Sequence, residues 1–222
     1  MKKYLFELFL LIFIIIPFIY LGINYDTLPE RVPTHFGLDG TANGWSQKNT
    51  LWIMPAGLCA LFYVVMFLIP ILDPKKRIAL MGKKYNQLRA IFAIFFSLLS
   101  IYLIYISKEG SLENPNIFFA ILGFLFLMFG NYLQALRENY FFGIRTPWTL
   151  ESEVVWRKTH RLGARLWVSG GLLTILLSAL IRNSHILGIS FLVIVGIMSL
   201  IPVVYSYIEY RKEQKKYKHH EY

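Results

Sequence analysis

The sequence predicts an all-α, polytopic integral membrane protein with six transmembrane helices, an extracytoplasmic Pro/Gly-rich loop and a cytoplasmic interfacial helix. Composition is the first reason. Of 222 residues 56% are hydrophobic and only 16% charged, with a mean hydropathy of +0.49, whereas soluble domains hold roughly 45–50% apolar and about 25% charged residues. The second reason is that the apolar residues gather into six blocks, each near the roughly 17–25 residues that cross a hydrocarbon core. The third is charge placement. If the blocks are numbered as spans, nineteen of the 23 Lys and Arg fall on one side, and only Arg31, Lys48, Lys108 and Arg182 on the other. By the positive-inside rule the rich side is cytoplasmic, which places both termini there. The same distribution accounts for the net charge of +10, so no nucleic-acid partner is expected.

The first span covers residues 4–24, behind Lys2 and Lys3. It is longer than the roughly 7–15-residue apolar core of a signal peptide, and no A-x-A-like site follows, so it reads as uncleaved. Pro17 should kink or break it. Glu7 lies near its cytoplasmic end, where it reads as a side chain snorkelling to the interface; its other reading is functional.

Residues 25–50 form the outer loop. Pro29, Pro33, Gly37, Gly40 and Gly44 favour turns and extended pieces over helix. The second span, 51–72, begins at Trp52 and contains the single cysteine, Cys59, which excludes a disulfide framework and reads as a small buried hydrophobe. These elements make a first unit, 1–72. A second unit, 73–116, comprises a basic inner loop, a third span at 90–107 and a short outer turn.

A third unit, 117–208, holds spans at 117–136, 166–181 and 186–208, with a cytoplasmic segment at 137–165 between its first two. Asn131, Gln134 and Glu138 should share one helical face leading into that segment. Gly170-Gly171 should let a neighbouring helix approach closely. A basic, solvated tail, 209–222, closes the chain.

The segment 137–165 is the longest polar stretch between strongly apolar ones. Thr146 is a plausible helix cap with Pro147 in the first turn, and Thr149 an alternative cap before Glu151 and Glu153. A helix should then run from about Leu150 into the fifth span. On it Glu153, Arg157, Arg161 and Arg165 recur every four residues, and Trp156, His160, Gly163 and Trp167 form another stripe. Such a helix suits a headgroup region. The alternative is a docking surface made by Arg145, Trp148, Trp156 and Arg161, since arginine's planar fork fits a phosphate or carboxylate partner. Periodicity leaves lipid and protein open as its partner.

The run N-Y-F-F-G-I-R-T-P-W-T-L-E-S-E-V-V-W resembles the SdpI family of bacterial membrane proteins. Asn139, Gly143, Arg145, Thr146, Pro147, Trp148, Thr149, Leu150 and Trp156 carry the match. The loop L-P-E-R-V-P-T-H-F-G-L-D-G, with G-W following, resembles an N-terminal domain of unknown function found in the same proteins, through Leu28, Pro29, Pro33, His35, Gly37, Gly40 and Gly44. The resemblance implies immunity against a secreted toxic protein. It also implies a membrane sensor that sequesters a cytoplasmic transcription repressor. Under that reading the cytoplasmic docking residues are Asn139, Gly143, Arg145–Thr149, Trp156, His160 and Arg161. Contact with the toxin falls to Pro29, Pro33, His35, Phe36 and Trp45.

Rival chemistries are poorly supported. His35, Asp39 and His185 lack metal-ligand spacing, and no metal or other cofactor is expected; His35 reads better as a hydrogen-bonding residue that orders the loop. Ser152 and His160 stand eight residues apart on a helix, about 12 Å along its axis, beyond the reach of a nucleophile and its base, so an enzyme is not expected. A transporter would need buried charges along a path, for which only Glu7, Asn131 and Gln134 qualify. A small transporter and a lipid-active protein are the alternative readings.

Overall fold

A computed structural model describes residues 2–37, 40–74, 76–109 and 115–220, with the side chains of 2, 3, 109 and 217–220 set aside. Asp39 and the side chains of His219 and His220 therefore lie outside the described residues. Six helices are long and apolar enough to cross a membrane. They are α1 (Lys2–Asn24), a composite second helix ending in α2 (Phe62–Leu72), α3 (Lys83–Glu109), α4 (Pro115–Leu133), α6 (Glu153–Leu180) and α7 (Ser184–His220). The short α5 (Pro147–Glu151) lies ahead of α6. The chain is a multi-pass membrane protein, and its many exposed Leu, Ile, Val and Phe residues form the surface that lipid covers.

Residues 25–50 are more ordered than a loop. Strands β1 (Arg31–Phe36) and β2 (Ala42–Gln47) pair antiparallel, with Pro33 opposite Trp45 and irregular register on both sides of His35. Gly44 is needed at this irregularity, because a Cβ there would come within 2.9 Å of the His35 Cβ. Val32 is fully buried beside Leu21, Leu28, Leu51 and Ile104, which anchors the hairpin onto α1, the second helix and α3. That helix enters through a tight turn at Lys48–Trp52 and a π-helical stretch at Pro55–Leu61 before becoming regular. Proline at 55 cannot donate a backbone hydrogen bond, and a wide turn is one way of accommodating this. Pro17, by contrast, lies within an unbroken α1.

Helices α4 and α6 approach closely through glycine. A Cβ on Gly171 would lie 2.6 Å from the Gly123 carbonyl oxygen, and a Cβ on Gly130 would lie 2.7 Å from the Val168 nitrogen. Gly170 faces the other way, against Met198 of α7. The expected close approach at Gly170-Gly171 is thus used twice, once towards each neighbour.

Three boundaries differ from expectation. Helix α4 ends at Leu133, and Leu136 N–H turns back to the Leu133 carbonyl, so Asn131, Gln134 and Glu138 do not share a helical face. The fifth helix begins at Glu153, because Ser152 breaks the chain in extended conformation and caps it through the Val155 N–H. The tail continues α7 as helix to His220. Glu209, itself buried, pairs there with Lys158 of α6 and Lys212.

Candidate functional site

The segment between α4 and α6 folds into a turn held by its own polar side chains. Asn139 Oδ1 accepts the backbone N–H groups of Phe141 and Phe142 at 2.8 and 2.7 Å, and its Nδ2 donates to the Arg137 carbonyl. Asparagine carries both donors and acceptors, so a single buried side chain closes this loop. Gly143 then takes φ +102°, a region open to glycine at little cost.

Thr146 and Thr149 form a capping box. The Thr146 hydroxyl accepts the Thr149 N–H at 3.2 Å, and the Thr149 hydroxyl accepts the Thr146 N–H at 2.9 Å. Pro147 occupies the first helical position, where its missing N–H costs nothing. Thr149 therefore completes the cap, rather than making a separate one. Two contacts tie this unit to α7: Thr146 Oγ1 lies 3.0 Å from Ser206 Oγ, and the Trp148 ring packs on Tyr207 at 5.0 Å. Ser152 Oγ donates to the Glu213 carboxylate about two turns further along α7.

His160 reaches into the turn from α6. Its Nε2 accepts the Ile144 N–H at 3.0 Å, which leaves Nδ1–H to donate to the Trp156 carbonyl at 2.9 Å. The Trp156 indole stacks on this imidazole at 4.0 Å and donates Nε1–H to the Leu136 carbonyl. Both residues are buried to 1% exposure, so the Trp156–His160 stripe faces the protein and not the headgroups. The apolar face of this amphipathic helix finds its partner within the chain. Both His160 nitrogens are engaged with the backbone, and the Ser152 hydroxyl caps α6 while donating to Glu213, so the two residues do not meet.

Of the predicted docking residues, Asn139, Thr146, Thr149, Trp156 and His160 are buried and Gly143 and Trp148 half-buried. Arg145, Pro147 and Arg161 are exposed. Arg145 donates to the Tyr140 carbonyl across the turn. The buried members build the turn; a partner could touch Arg145, Pro147, Trp148 and Arg161.

At the opposite end of the bundle, His35 Nδ1 hydrogen-bonds the Asn43 side chain across the hairpin. Pro33 is buried, Pro29 exposed and Phe36 half-buried, while Trp45 is 46% exposed. Thr34, His35 and Phe36 also border a cavity of about 330 Å³, closed by Phe118, Phe119 and Phe191 of α4 and α7. Sequence reasoning could not find those aromatics, since they look like ordinary lipid-facing residues.

A second constellation escaped it too. Arg89 of α3 donates two parallel hydrogen bonds to the Glu7 carboxylate of α1, both 2.8 Å, and Tyr63 Oη donates to the same carboxylate at 2.9 Å. The guanidinium also lies 5.7 Å from the Phe6 ring and 5.5 Å from the Tyr63 ring. Glu7 is thus turned inward and does not snorkel: Arg89, placed at the edge of the third block in the sequence, supplies the partner. Among the described residues, no group of three His, Cys, Asp or Glu is placed to hold a metal ion.

Comparison with known proteins agrees with this architecture. Residues 135–206, which contain the turn and α6, match the SdpI/YfhL protein family. Residues 12–58, which contain the hairpin, match a domain of unknown function (DUF1648). The chain is 27% identical over 191 residues to the immunity protein SdpI of Bacillus subtilis (strain 168), which covers 86% of this chain and 88% of that protein. No solved structure matches it. The hairpin thus carries the DUF1648 match, and the C-terminal region built around the Asn139–Trp156 turn is similar to the SdpI/YfhL family.

Proposed function

We propose that this protein is a membrane immunity protein that gives a bacterial cell resistance to a secreted antimicrobial protein. The observation that carries the reading is similarity to an immunity protein over 191 residues, 86% of the chain. The fold supports it: resistance by binding or occluding a toxin at the membrane needs recognition and no bond chemistry. In this orientation the basic loops, the turn and both termini are cytoplasmic, and the hairpin faces outward, as the asymmetry of Lys and Arg favours.

Toxin contact then falls to the hairpin, through Pro29, Phe36 and the exposed Trp45, with His35 and Pro33 holding its shape. On the inner side Arg145, Trp148 and Arg161 offer contacts to a cytoplasmic transcription repressor, in a sensing role added to immunity. The buried Asn139, Gly143, Thr146, Thr149, Trp156 and His160 hold those contacts in place.

The test is survival of a toxin-sensitive host, with and without this protein, against a panel of secreted antimicrobial proteins, at matched membrane expression. Protection against one member is expected, with its loss in Trp45→Ala. Absence of protection against every member, with the protein folded in the membrane, would sink the immunity reading.

A further inference from the structure

One face of α6 changes character along its length. Arg157, Arg161 and Arg165 follow one another at four-residue spacing, and all three are exposed. The same face continues through exposed Ser169 to Leu172, Leu176 and Leu180, which are 52%, 55% and 68% exposed. Ser169 turns its hydroxyl back onto the Arg165 carbonyl at 2.9 Å, so it presents little polarity of its own. The step from Arg165 to Leu172 is about 10 Å along a helix axis.

In a membrane-spanning helix those leucines meet acyl chains. The layer that meets Arg161 and Arg165 on the same exposed face is then the lipid phosphate layer. The charges there are available. Lys158 and Lys212 are both paired with Glu209, and Arg157 borders a cleft shared with Glu151, Glu153 and Glu213. Among the described residues neither Arg161 nor Arg165 takes part in an ion pair. Guanidinium groups bind phosphate oxygens through paired, parallel hydrogen bonds.

We infer that Arg161 and Arg165 form a binding site for the phosphate headgroup of an anionic lipid. The site fixes the depth of α6 and, through His160 on the opposite side of the same turn, the level of the Gly143 turn in the membrane. The inference does not rest on the immunity reading; it assigns Arg161 to lipid and leaves the inner-side protein contact to Arg145 and Trp148.

The test uses the purified full chain in detergent and native mass spectrometry, titrating phosphatidylglycerol, phosphatidylcholine and inorganic phosphate separately. The wild type should retain phosphatidylglycerol at least tenfold better than phosphatidylcholine. Each of Arg161→Gln and Arg165→Gln should reduce that preference about fivefold. The pair Arg161→Lys/Arg165→Lys, which keeps the charge and the fold, should retain part of it. Equal retention of both lipids by the wild type, or an unchanged preference in both glutamine variants, would overturn the inference. Competition by inorganic phosphate at lipid-equivalent concentration would overturn it as well, by assigning the site to a soluble anion.

Discussion

Gly143 and His160 fill one another's space. The glycine stands at φ +102°, and any Cβ there would collide with the imidazole Nε2, the atom that accepts the Ile144 N–H. Gly143→Ala therefore meets backbone strain of about 1–3 kcal/mol and a displaced histidine at once. Such overpacking costs about 1–3 kcal/mol, so a loss of roughly 2–6 kcal/mol is expected. Denaturant unfolding in detergent micelles would measure it. A change below about 1 kcal/mol would show that the turn relaxes away from His160.

Replacing His160 by Phe preserves an aromatic stack on Trp156 but removes both hydrogen bonds. The Ile144 N–H and the Trp156 carbonyl are then left without this partner in a buried place, at a cost of about 1–3 kcal/mol. Tyr85 packs on Phe142 of the same turn at 6.2 Å, so the loosened turn should also affect contact with α3. Faster proteolysis between residues 137 and 152 in His160→Phe, with cleavage elsewhere unchanged, is the expected signature. Equal rates for mutant and wild type would count against a structural role for the imidazole.

The six spans were legible because block length and hydropathy are properties of a local window. The turn's chemistry was legible in part: Thr146 and Pro147 announce a cap, while the reciprocal bond from Thr149 depends on the backbone closing first. The sequence stripe of Trp156, His160 and Gly163 was real, yet its partner was not. A stripe of that kind packs on lipid or on protein according to where Ile144 and Leu136 are brought by tertiary folding. Glu7 and Arg89 are separated by 82 residues, and no local pattern links them. The hairpin was hidden for another reason: Pro33 and Gly44 interrupt the alternation that identifies a strand, and the irregular register at His35 is what accommodates them.

The Glu7–Arg89 pair should behave as a unit. Removing one partner leaves the other charge in a largely apolar site, which costs about 3–5 kcal/mol for a buried pair; with Glu7 20% exposed the lower end is expected. Glu7→Gln and Arg89→Met should each lower the melting temperature, and the double variant should recover much of the loss. Additive losses in that double-mutant cycle would mean that the two residues stabilise the bundle separately.

Helices α4 and α6 depend on glycine for their separation. A Cβ at Gly171 would meet both the Gly123 carbonyl oxygen and the Leu127 nitrogen at 2.6 Å; these are backbone atoms, which cannot rotate aside as a side chain can. Gly171→Leu should prevent native packing, while Gly196→Leu, where an added Cβ meets nothing within 4 Å, should be tolerated. Folded yield after detergent extraction, read by size-exclusion chromatography, distinguishes the two. Equal yields would show that the helices separate without penalty.

Arg145 and Thr146 are neighbours with opposite surroundings, and this separates holding the turn from contacting a partner. Thr146 is buried, caps α5 and touches Ser206 of α7, so Thr146→Ala should lower stability by about 0.5–2 kcal/mol. Arg145 is exposed and among the described residues bonds the Tyr140 carbonyl alone, so Arg145→Ala should leave stability within about 0.5 kcal/mol. If the exposed side chains of the turn meet a cytoplasmic partner, Arg145→Ala impairs sensing at normal membrane abundance, whereas Thr146→Ala reduces sensing and survival together, in proportion to lost protein. The measurement is reporter induction and survival in parallel, each normalised to protein in the membrane. Normal sensing in Arg145→Ala at wild-type abundance would remove this arginine from the contact surface and leave the turn a purely structural joint between α4, α6 and α7.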